Sequence, residues 1–82
     1  MENKLITFVF ATDNMDEYQR GFITGLMYLL SGRPSETYRW RRGKTETGKP
    51  TWIKELDCTV GQAMEIHDEI EKHFPGSIIE MI

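Results

Sequence analysis

Hydrophobic and polar positions alternate in blocks along this chain, and the blocks predict six elements. Leu5-Ile6-Thr7-Phe8-Val9-Phe10-Ala11 is rich in β-branched and aromatic residues and bounded by polar ones. It predicts a strand apolar enough for burial on both faces. Asn14-x-x-Glu17 predicts a helix cap, with Asp16 and Glu17 in the first turn complementing the helix dipole. At helical spacing Met15, Tyr18, Phe22, Ile23, Leu26, Leu29 and Leu30 fall on one broad side, with Glu17, Arg20 and Ser31 opposite. Gly32 and Pro34 end that helix. Thr37 to Arg42 and Thr51 to Cys58 predict two strands joined by a polar, turn-rich stretch from Gly43 to Pro50, a long hairpin with a flexible tip. Thr59 and Gln62 predict a capping box, after which Val60, Ala63, Ile66, Ile70 and Phe74 form an apolar helical stripe. Pro75-Gly76 stops it, and Ile78 to Ile82 reads as a last strand.

The order strand, helix, strand, strand, helix, strand over residues 4–82 resembles the ferredoxin-like βαββαβ arrangement. That resemblance implies an α+β fold: a four-stranded antiparallel sheet with the first and third strands central and two helices on one face. Either Ile6, Phe8 and Phe10 or Leu5, Thr7 and Val9 would then face the helices. The fold hosts enzymes, nucleic-acid binders, metal carriers and protein ligands alike, so it assigns no function. The residues identify no specific family.

Composition narrows the setting. Eighty-two residues suit a single domain over 1–82, one that buries only about 60–65% of its unfolded surface. The apolar share is 39%. Counted with glycine and without tyrosine it is about 44%, close to the globular norm of about 45–50%, which argues against disorder. One cysteine, Cys58, makes no internal disulfide and completes no zinc site of cysteine pairs. A small domain without such staples fits a reducing, cytoplasmic setting. The apolar run from Leu5 to Ala11 is followed at once by Thr12 and Asp13 and lacks a cleavage site, so it reads as a strand rather than a signal peptide. Phe22 to Leu30 is far short of the ~20 residues that span a bilayer.

Charge is unevenly placed. The net charge is −3 overall. Residues 33–54 nevertheless hold seven of the ten basic residues against Glu36 and Glu46, whereas residues 55–82 hold Lys72 against seven acids. This split is the strongest functional signal in the chain.

Several constellations of reactive groups bear on chemistry. His67 sits in the stripe of the second helix and reads as a core-edge histidine; His67 and His73 diverge on a helix, so they do not form a metal pair. Cys58 with His67 would be a thiolate–imidazole pair only if the fold joined them, and Cys58 alternates with Leu56, which favours a buried thiol. Glu65, Asp68, Glu69 and Glu71 read as a solvated face, with Lys72 in reach of three of them. Gly21-x-x-x-Gly25 suggests close approach of the first helix to a neighbour. Gly43-Lys44-Thr45 matches the end of a phosphate loop but lacks the earlier glycine and the following helix. No catalytic, metal or cofactor set is assembled, so the expectation is a non-enzymatic protein without a cofactor.

The hairpin remains. Tyr38, Trp40 and Arg42 share one face of its first strand and Arg39 and Arg41 the other, while Trp52 and Lys54 sit on the second strand. Lys44 adds a charge near the tip. Arginine with tryptophan and tyrosine is the composition of protein interfaces and also of surfaces that hold nucleic acid. Alternatively the two tryptophans fill a small core and the arginines protect an edge strand. With only Glu36 and Glu46 nearby, Arg39, Arg41 and Arg42 are expected to need no internal partner. An RNA-recognition module would expose Phe8 or Phe10 and carry a basic-Gly-aromatic pattern on the third strand, but Lys49 to Asp57 departs from that pattern.

The leading expectation is a binding protein. Tyr38, Arg39, Trp40, Arg41, Arg42, Lys44, Trp52 and Lys54 would dock on a protein with an acidic surface. In size and build the chain is similar to the small proteins by which phages inhibit host enzymes or defence complexes. The alternative is nucleic-acid or nucleotide binding by the same hairpin and the open sheet face. No membrane partner is implied, and an exposed edge strand offers a route to a homodimer.

Overall fold

The computed structural model describes residues 2–13, 15–32 and 40–82. Its elements are β1 (Lys4–Ala11), α1 (Glu17–Ser31), β2 (Arg41–Lys44), β3 (Pro50–Cys58), α2 (Val60–His73) and β4 (Ile78–Met81). The four strands form one antiparallel sheet in the order β2-β3-β1-β4. This is the α+β, ferredoxin-like βαββαβ arrangement that the element order implied, with β1 and β3 at the centre.

Alternation decides which side of each strand is buried. Ile6, Phe8 and Phe10 of β1 and Lys54, Leu56 and Cys58 of β3 point to the helices. There they meet Ile23 and Met27 of α1 and Ala63, Ile66 and Ile70 of α2. Each fully buried Phe or Ile is worth about 1.5–3 kcal/mol relative to exposure, so this one layer carries most of the apolar stabilisation. β1 is not buried on both faces. Leu5 is 64% exposed, because no described element covers the second face of the sheet.

Both helices start and stop for local reasons. Asp16, not Asn14, caps α1: its backbone is extended and its carboxylate accepts from the Gln19 N–H at 2.9 Å. Asn14 lies outside the described residues. Gly32 ends the helix in the left-handed region, φ 72°, and donates to the Tyr28 carbonyl at 2.9 Å. Thr59 and Gln62 form the expected capping box at 3.1 and 3.0 Å.

The buried side of α1 keeps Met15, Ile23, Leu26 and Leu30 of the expected one but is rotated part of the way round the helix. Ser31 is buried and donates to the Met27 carbonyl at 2.6 Å, whereas Tyr18, Tyr28 and Leu29 are exposed. Gly21 and Gly25 approach no neighbour, for a methyl group at either would have nothing within 4 Å. On α2, Val60 is exposed, with Met64 beside it in the helix repeat. Phe22 joins the two helices by edge contacts to His73 and Phe74, with ring centroids 4.9 and 5.4 Å away. No helix among the described residues is long and apolar enough to cross a membrane.

Candidate docking surface

The first strand of the hairpin is shifted toward the tip from its expected place at Thr37 to Arg42: β2 starts at Arg41, Trp40 lies just before it, and residues 37–39 lie outside the described residues. Gly43 and Lys44 belong to β2 and pair with Thr51 and Pro50, leaving only 45–49 as the tip. That tip is internally bonded: Thr45 N–H donates to the Lys49 carbonyl at 2.8 Å, and Gly48 N–H to the Thr45 carbonyl at 2.9 Å. Lys49 N–H also donates to Thr45 Oγ1 at 3.1 Å. Gly48 takes φ 88°, which favours glycine there.

Trp52 organises the basic residues on the helix side of this edge. It is half-buried, opposite Phe10 on β1 and Arg42 on β2. The Arg42 guanidinium carbon lies 4.5 Å from its ring centroid, and that of Arg20, reaching over from α1, lies 4.3 Å away. Such cation–π contacts are worth about 0.5–1 kcal/mol at exposed sites. Arg20 is further fixed by donating to the Met15 carbonyl at 2.7 Å. The residue assigned by the sequence to a polar outer face of α1 is thus a half-buried stem packed on an indole.

Trp40 is half-buried as well. Its ring lies tilted on Phe10 at 5.1 Å, edge-on to Trp52 at 6.4 Å, and its N–H donates to Thr24 Oγ1 at 3.1 Å. Both tryptophans therefore serve the fold's edge, each with its ring in contact with several neighbours. Lys54 is not presented to solvent: it is fully buried, with Nζ 5.6 Å from the Trp40 ring centroid. Burial holds its ammonium below the ordinary lysine range.

Arg41 points to the opposite face of the sheet and has the internal partner that the sequence did not anticipate. Its Nη2 lies 2.6 Å from Glu55 Oε1 on β3. Tyr38 and Arg39 lie outside the described residues. Of the basic residues on the helix side and tip, Arg42, Lys44 and Lys49 are exposed, with the acid Glu46 also exposed at the tip. None has an ion-pair partner among the described residues. Lys49, which the sequence places in a flexible turn, is held by the bonded tip.

The remaining reactive groups are placed apart from this surface. Cys58 is fully buried, and burial together with the neighbouring Asp57 charge pushes its thiol pKa up. That is the opposite of what a nucleophile needs. His67 has its Nδ1 3.4 Å from Asp68 Oδ1, next to it in sequence. Phe8 and Phe10 face the helices, so neither offers a stacking ring on the open sheet face as an RNA-recognition module would. Compared with protein-family models, with curated proteins and with solved structures, the chain matches none.

Proposed function

We propose that this protein is a non-enzymatic binding protein that docks through the basic rim of its β2–β3 hairpin on the acidic surface of another protein. The observation that supports this reading most is the set of exposed cations Arg42, Lys44 and Lys49 without acidic partners among the described residues. Arg42 is held in place by Trp52. A guanidinium fixed in this way loses less side-chain entropy on binding and keeps its donors free for a carboxylate. The two indoles are occupied by Arg20, Arg42, Phe10 and each other. That favours a protein partner over single-stranded nucleic acid, which binds by stacking bases on open rings. A small protein with a preformed basic edge fits an inhibitor that occupies a partner's acidic site, the mode of phage inhibitors to which its build is similar.

The test is a pull-down from nuclease-treated bacterial lysate with the wild-type chain and with Arg42→Glu/Lys44→Glu, both shown to be folded. A protein recovered by the wild type and lost by the variant is the expected result. Recovery of the same proteins by both baits, or of none, would count against the reading.

A further inference from the structure

β2 is an edge of the sheet, and no strand among the described residues pairs with its outer side. The register decides which backbone groups that side presents. Residues opposite one another in an antiparallel pair alternate between those that exchange hydrogen bonds and those that do not. Lys44 stands opposite Pro50, which has no N–H to exchange. Gly43 with Thr51 and Arg41 with Ile53 are therefore the bonded pairs, and the bond from Thr45 N–H to the Lys49 carbonyl continues the same phase. The N–H and C=O groups of Arg42 and Lys44 turn the other way, to the free edge. Both residues are exposed, and alternation puts both side chains on the helix side. Between them Gly43 leaves the second face bare. The Ile53 side chain fills that space, with its Cδ1 2.6 Å from where a Cβ on Gly43 would stand. Arg41, also on the second face, is drawn inward to Glu55 of β3.

Resting on the docking role of the basic rim, we infer that the segment it captures is an extended acidic strand of the partner protein, paired antiparallel with β2. Its acids stand at alternate positions opposite Arg42 and Lys44, and an apolar residue between them lies over Gly43. A residue opposite Arg42 in this pairing exchanges both backbone bonds with it, and its side chain falls on the same face as the guanidinium. The following residue points to the second face and meets Ile53 across the bare Gly43. In strand addition of this kind the main-chain bonds give affinity and the alternate side chains give specificity. The charge of the edge selects the occupant. Arg41, Arg42 and Lys44 are three of the four residues of β2, so a second copy of this edge, or any basic strand, would set cation against cation. An acidic strand gains at both outward positions, and the Arg42 guanidinium is already held in place by Trp52, 4.5 Å from its ring centroid.

The test is fluorescence anisotropy with the full chain and a short labelled peptide of alternating glutamate and valine, beside an isomer whose glutamates are consecutive. The alternating peptide is expected to bind at least about tenfold more tightly than the isomer. N-methylation separates strand pairing from charge alone. A methyl group on the nitrogen of the central glutamate removes a donor that faces β2, and is expected to weaken binding at least about tenfold. A methyl group on the neighbouring valine, whose N–H points away from β2, is expected to change binding by less than about threefold. Arg42→Glu/Lys44→Glu, shown to be folded by its melting curve, is expected to lose the glutamate peptide and to bind the matching lysine–valine peptide instead. Equal binding of the two isomers, or equal loss from the two methyl groups, overturns strand pairing while docking by charge through the rim still stands. Absence of binding by the alternating peptide at millimolar concentration overturns it as well. Docking through the rim fails separately, by a pull-down partner that Arg42→Glu/Lys44→Glu retains.

Discussion

Trp40 donates its indole N–H to Thr24 Oγ1 at 3.1 Å, and this bond fastens the start of the hairpin to the middle of α1. The same hydroxyl donates to the Arg20 carbonyl at 2.9 Å, and the Arg20 guanidinium lies on Trp52. One helix turn thus anchors both tryptophans of the candidate docking edge.

Removing that anchor should loosen the edge in graded steps. Trp40→Phe keeps the contact with Phe10 but loses the hydrogen bond, and is expected to cost about 1 kcal/mol. Trp40→Ala also removes the packed ring and is expected to cost about 3 kcal/mol. Urea denaturation at neutral pH measures both. Unchanged midpoints would mean that the indole is an ornament on the surface rather than a brace.

Lys54 gives a pH signature. Burial lowers its folded pKa below the unfolded 10.5. Between those two values the unfolded chain binds more protons than the folded one, so this group makes stability rise with pH across that alkaline window and adds nothing further above it. Lys54→Met keeps the apolar stem and abolishes the titration. The wild-type-minus-variant stability should therefore climb with pH across the alkaline window that ends at about pH 10.5. A flat difference across that range would show that the ammonium is solvated in the folded state.

Cys58 should behave as a core residue. With its thiol buried and its pKa raised, it is expected to resist a disulfide reagent at pH 8 in the native protein and to react fully in denaturant. Cys58→Ala should leave any binding activity intact at a cost of about 1–2 kcal/mol for the lost packing. Rapid modification of the native protein would place the thiol at the surface.

Much of the architecture was legible because alternation and capping are local. The six elements, the capping box at Thr59 and the stop at Gly32 all followed from neighbouring residues. The burial of Lys54 runs against the expected docking role: it is in phase with Trp52, Leu56 and Cys58 on the buried side of β3, but its charge argued for the surface. The turn of α1 was not legible. Tyr18 and Leu29 look like core residues, while Ser31 hides its hydroxyl in a bond to its own helix and Arg20 lays its stem on an indole from another strand. The Arg41–Glu55 pair depends on hairpin register. Extending β2 to Lys44 and opening β3 at Pro50 fixes which residues of the two strands are neighbours, and no nearby residue type announces that.

The basic rim should be dispensable for folding. Arg42, Lys44 and Lys49 have no ion-pair partners among the described residues. Reversing Lys44 and Lys49 is expected to change stability by no more than about 0.5 kcal/mol per site. Reversing Arg42 should cost up to about 1 kcal/mol more, from the lost contact with Trp52. Thermal melts of the three variants check this. Unfolding of the Lys44 or Lys49 variant would make the rim structural.

The most direct measurement is amide hydrogen exchange of the chain free and bound to the protein that the hairpin rim captures. Slowed exchange is expected over Arg41 to Trp52, strongest at the tip from Thr45 to Lys49, with α2 unchanged. Protection confined to α2 or to the exposed side of α1, with the hairpin tip exchanging as in the free protein, would contradict docking through the basic rim.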